Sequence, residues 1–80
     1  IFSYIELDEQ HAIIEVAVPE DWQGRSIGEL DIRRKYGVNI LGVKRNGNTD
    51  VNISPETVLD ADMTLLVLGE NQELKKHFRL

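Results

Sequence analysis

Three observations in this 80-residue chain predict an α+β fold, a small and mostly antiparallel sheet with two helices packed on it. Apolar runs of strand length, Ala12 to Val18 (AIIEVAV) and Met63 to Leu68 (MTLLVL), are each closed by a proline or a glycine. A capped helix signal runs from Ser26 to Gly37, and Asn46 with Gly47 is the strongest short-range hairpin signal a sequence offers. The order strand, strand, helix, hairpin, strand, helix sets helices against one small sheet.

The elements follow in turn. Phe2 to Leu7 alternates loosely and is rich in β-formers, and Asp8, Glu9 and Gln10 supply a polar turn before His11. Ala12 to Val18 is the best candidate for a central strand. Pro19 to Arg25 reads as a loop whose Trp22 covers an edge of the core. Ser26, followed three residues later by Glu29, is a capping box that starts a helix at Ile27. Gly37 should end it, because glycine takes the left-handed conformation that closes helices without steric cost. On a helical wheel Ile27 and Leu30 share one side while Ile32 and Tyr36 lie nearly opposite. The second stripe requires either a break near Asp31, which could cap a second short turn, or another surface to pack on.

Val38 to Lys44 is a further strand, and Val51 and Ile53 alternate with Asn52 on the return strand of the hairpin. Ser54 and Pro55 set up a short turn leading to Leu59. After Met63 to Leu68, Asn71 is expected to cap a terminal helix on which Leu74 and Phe78 form an i, i+4 pair. If Ala12 to Val18 and Val38 to Lys44 run parallel, the helix between them makes a βαβ crossover.

Composition narrows the function classes. The chain makes one domain, 1–80, and a core this small rarely supplies more than about 3 to 5 kcal/mol, so a partner chain is expected. No cysteine is present, which excludes disulfides and thiolate metal sites and fits a reducing compartment. No apolar run approaches a membrane span and nothing resembles a signal peptide, so direct membrane insertion is not expected. The first residue is Ile1, which suggests a fragment of a longer chain. A formal charge of −5 argues against a nucleic-acid polymer or an anionic membrane as partner.

Catalysis finds no foothold. His11 and His77 begin no metal-ligand spacing, no Ser/His/acid set has recognisable context, and no glycine-rich phosphate loop occurs. The scattered carboxylates lack the spacing of a calcium loop and read as solvated charges. No cofactor, metal or enzymatic activity is expected. One dense cationic cluster remains, Arg33, Arg34 and Lys35. Its ordinary explanation is that helix C-terminal cations complement the dipole. Its functional explanation is an anion site, because Ile32, Tyr36, Asn39 and Ile40 place apolar walls and an amide beside the charge. Walls for a flat ring, an amide for its edge and a guanidinium for a phosphate are what a nucleotide requires.

From Ile14 to Gly69 the sequence, with GRSIGELDIRRKYGVNILGVKRNG at its centre, then a proline, then LDADMTLLVLGE, resembles the RCK C-terminal, or TrkA-C, domain of regulators of potassium conductance. Ala61 and Asp62 stand where that family usually has glycine and aspartate. The pattern is nearest to the cytosolic regulatory subunits of Ktr-type bacterial potassium uptake systems. That resemblance implies a homodimer binding cyclic di-AMP at its interface, with contacts at Ile27, Asp31, Ile32, Arg33, Asn39, Ile40 and Pro55, to which the wheel adds Tyr36. It further implies a cytoplasmic domain, held at the membrane through a transporter subunit whose gating it controls. Two alternatives stand beside this, a ligand-free dimerisation module with Ile32, Tyr36 and Ile40 as interface core, and the regulatory domain of a cation/proton antiporter.

Overall fold

The computed structural model describes residues 1–79. A five-stranded antiparallel sheet runs in the order β1 (Ser3–Glu6), β2 (His11–Ala17), β7 (Thr64–Glu70), β4 (Asn39–Arg45), β5 (Asn48–Asp50). A two-stranded ladder joins β3 (Arg25–Ser26) to β6 (Val58–Leu59). The helices are α1 (Ile27–Leu30), α2 (Ile32–Tyr36) and α3 (Asn71–Phe78), with a single 3-10 turn at Glu20–Trp22.

Alternation along β2 and β7 creates the core. Ala12, Ile14 and Val16 on one strand turn inward opposite Gly69, Val67 and Leu65 on the other. Leu30, Ile32, Val38, Leu59, Met63 and Leu74 close over them. Trp22 lies inside this cluster, 2% exposed, and does not merely cover its edge. β2 and β4 do run parallel, each being antiparallel to β7, but β7 lies between them. The strands of the expected crossover are therefore not neighbours.

The helix expected over Ile27 to Gly37 is interrupted. Asp31 adopts φ 51° and ψ 50°, ending α1 and beginning α2. That turn rotates the second stripe onto the same core as the first, and Ile32 is only 3% exposed. Of the two outcomes left open by the wheel, the break is the one realised, and Ile32 needs no second surface.

Other boundaries shift for local reasons. Ladder pairing on the return strand stops at Asp50, whose carboxylate takes the amide of Asn52, so Val51 to Ile53 lie beyond it. The last strand runs on through Gly69 to Glu70, which pairs with His11. Asn71 is the first residue of α3 and not its cap. Its side-chain amide donates to the Glu9 carbonyl at 3.1 Å and its backbone amide to that of Gln10 at 2.7 Å, which fastens the 8–10 turn to the helix start.

Candidate functional site

At one end of the sheet, α1, α2, the start of β4 and the 54–57 turn surround an open cavity of about 250 Å³. Ile27, Asp31, Ile32, Arg33, Asn39, Ile40 and Pro55 line it, together with Gly28 and Val38. Seven of the eight residues singled out from the sequence are thus brought together. Tyr36 is the exception: its ring packs 4.9 Å from that of Trp22 and 5.0 Å from that of His77, away from the cavity lining. The wheel's pairing of Tyr36 with Ile32 is kept, since both pack on the core, and that packing takes up the Tyr36 ring.

Gly28 and Val38 were not anticipated. Period-two alternation from Ile40 would have found Val38, which faces the same way along the extended entry to β4. Gly28 had no side-chain signal. Its place comes from close approach, since a Cβ there would lie 2.9 Å from Pro55 Cβ and 3.0 Å from the Pro55 carbonyl oxygen.

Backbone donors in the first turn of α1 are already committed. The Ile27 amide donates to Thr57 O at 2.9 Å, Gly28 to Pro55 O at 2.8 Å and Glu29 to Ser26 Oγ at 3.1 Å. These bonds hold the 54–57 turn against the helix and form one cavity wall. They also leave the α1 N-terminus no free amide among these three for an anion, so recognition of negative charge falls to side chains. The capping box is only half formed, because the Glu29 carboxylate pairs with Arg25 at 3.3 Å.

Within the cationic cluster the three residues separate by partner. Arg34 is paired with Asp31. That pair neutralises the one carboxylate on the cavity lining. Arg33 is exposed, lines the cavity, and among the described residues makes no ion pair. The Asn39 side chain, half-buried on the same lining, offers both a donor and an acceptor. Ile27, Ile32, Val38, Ile40 and Pro55 supply apolar surface between them. Such a cavity can hold a flat ring against apolar walls, bond its edge and meet an anion.

The two histidines stand apart from it. His11 Nδ1 meets Asp8 at 2.9 Å, and His77 Nε2 meets Glu73 at 3.1 Å. Among the described residues no three His, Asp or Glu side chains converge as a metal site would require, and no helix is long and apolar enough to cross a membrane.

Fold and site together define a small two-layer α+β domain with an open, cation-bearing cavity built on a broken helix. More narrowly, the chain belongs to the TrkA-C domain family, whose model matches residues 12–80. It is 28% identical over 76 residues to Ktr system potassium uptake protein A of Bacillus subtilis and 30% identical over 76 residues to Ktr system potassium uptake protein C of the same organism. Each match covers 95% of this chain and 34% of the relative, so the chain spans about a third of those proteins' length. Among solved structures, the RCK C domain of the potassium transport protein KtrA in complex with cyclic di-AMP matches with a TM-score of 0.75 and 33% identity. That match covers 82% of this chain and 78% of the other.

Proposed function

We propose that this domain regulates a potassium transport system by binding cyclic di-AMP, one molecule being shared across the two-fold axis of a homodimer. The observation that carries the reading is the cavity itself, whose lining joins Arg33, which makes no ion pair among the described residues, to apolar side chains and Asn39. Its size supports sharing. At about 250 Å³ it falls just below the range of roughly 300 to 1,000 Å³ usual for small-molecule sites, as half of a composite site should. A two-fold ligand on a two-fold axis meets each contact twice from an isologous interface. The cyclic di-AMP complex of the related KtrA domain supports the choice of nucleotide. In this reading the domain works in the cytoplasm as part of a longer regulatory subunit, reaching the membrane through a transporter subunit.

A plain dimerisation module with Ile32, Tyr36 and Ile40 as its interface core has weaker support, because Ile32 is buried in its own core, Tyr36 packs on Trp22 and Ile40 is partly buried against the same core.

Calorimetric titration with cyclic di-AMP tests the assignment. If each charge-assisted contact contributes roughly 1.5 to 3 kcal/mol, losing two by symmetry in Arg33→Ala weakens binding by at least about a hundredfold while the dimer persists. Arg34→Ala, whose guanidinium is engaged by Asp31, should bind nearly as the unmodified chain does. Asn39→Ala and Ile40→Ala should lose less than Arg33→Ala. Near-unchanged affinity in Arg33→Ala together with loss in Arg34→Ala would overturn the assignment.

A further inference from the structure

We infer that Tyr36 is a positioning residue: its ring, clamped between Trp22 and His77, fixes the angle at which α2 presents Arg33 to the cavity and thereby couples the C-terminal helix to the site. The inference rests on the ligand reading above and adds to it a residue that lies outside the cavity lining.

α2 is five residues long and has a left-handed residue at each end, Asp31 at φ 51° and Gly37 at φ 68°. A helix this short is not stable by itself, and neither neighbour continues its axis. At its ends Lys35 N donates to Asp31 O at 2.9 Å and Gly37 N to Arg33 O at 3.0 Å. Side-chain anchors therefore set its orientation. Ile32, buried in the core, is one. A single anchor beside Arg33 leaves the helix free to pivot, and Tyr36, one turn further on, is the second.

The geometry of the second anchor is definite. The Tyr36 ring stands edge-on to His77 at 5.0 Å and tilted against Trp22 at 4.9 Å, both within the attractive range for ring pairs. Trp22 meets Phe78 edge-on at 5.5 Å, and His77 is held by Glu73 at 3.1 Å. One jaw of the clamp thus belongs to the loop before β3 and the other to α3. On the wheel Tyr36 falls between Ile32 and Arg33, so a rotation that released the ring would carry the guanidinium with it.

The test is a double-mutant cycle with Arg33, read by calorimetric titration with cyclic di-AMP. Tyr36→Phe keeps the ring and should bind within about twofold of the unmodified chain, whereas Tyr36→Ala should weaken binding by about tenfold or more. In an Arg33→Ala background Tyr36→Ala should cost no further affinity, because its effect passes through that guanidinium. His77→Ala, which removes one jaw without opening the core, should fall between Phe and Ala. An equal factor in both backgrounds would make Tyr36 a general structural residue and overturn the inference, as would undiminished affinity in Tyr36→Ala.

Amide hydrogen exchange supplies a readout that needs no ligand. Tyr36→Ala should lose protection at Lys35 and Gly37 while the β2–β7 ladder keeps its own; unchanged protection at those two amides would refute the clamp. Failure of the unmodified chain to bind cyclic di-AMP would count against the ligand, and exchange would then decide the clamp.

Discussion

A serine oxygen decides where the first helix begins. Ser26 Oγ accepts the Glu29 amide at 3.1 Å, and Ser26→Ala should cost about 1 kcal/mol, seen as a lower urea midpoint with an unchanged slope. An Asp8 carboxylate oxygen does similar work for the turn before β2, accepting the amides of Gln10 and His11 at 2.8 Å each, with the His11 ring at 2.9 Å. The Gln10 amide first, and then the His11 ring, hold the Asp8 carboxyl below its ordinary value. A carboxylate lowered on folding contributes stability that is complete above its unfolded value, near pH 4, and is lost as pH falls through the lowered one. Thermal unfolding of Asp8→Asn should therefore show a shallower loss of stability than the unmodified chain below about pH 4. At this scale the sequence was informative where a side chain has a stereotyped partner, as at Ser26. It could not show that Glu29 would turn to Arg25, because that depends on which of two nearby groups the folded backbone brings within reach.

Of the eight candidate residues, seven share one cavity and Tyr36 does not. Ile27, Asp31, Ile32, Arg33, Asn39, Ile40 and Pro55 come from α1, α2, the turn between them, the start of β4 and the 54–57 turn, which meet there. Tyr36 stays on the stripe the wheel shares with Ile32, but the left-handed turn at Asp31 lays that stripe on the home core, where its ring meets Trp22 and His77. That turn is open to test by substitution. Asp31→Gly should be tolerated in thermal unfolding, since glycine takes φ 51° freely, whereas Asp31→Val should destabilise by about 1 to 3 kcal/mol because a β-branched residue is strained there. The hairpin was legible for the same kind of reason: Asn46 at φ 54° and Gly47 at φ 78° are the residue types its tight turn demands. Gly69 carries a constraint of packing. A Cβ there would lie 2.9 Å from Val38 Cγ1 and 3.3 Å from Leu74 Cδ2, so Gly69→Ala should cost about 1 to 3 kcal/mol, measured by urea unfolding.

For the whole molecule, the sheet order placing β7 between β2 and β4 follows from long-range pairing that no local pattern encodes. The grounds for a partner also change at this scale. The apolar stripe of Ile32 and Tyr36 is absorbed by the home core, so the case for a second copy rests on the open cavity and the proposed sharing of a ligand across it. The net charge of −5 repels a dianion at long range, so such a ligand must be held by specific cations such as Arg33 and its symmetry mate. Sharing fixes a stoichiometry, and that ratio tests the proposed dimeric site directly. Calorimetric titration of the chain with cyclic di-AMP, with mass measured in parallel by sedimentation, should saturate at one ligand per two chains on a dimer. Saturation at one ligand per chain on a monomer, or no heat of binding at all, would contradict it.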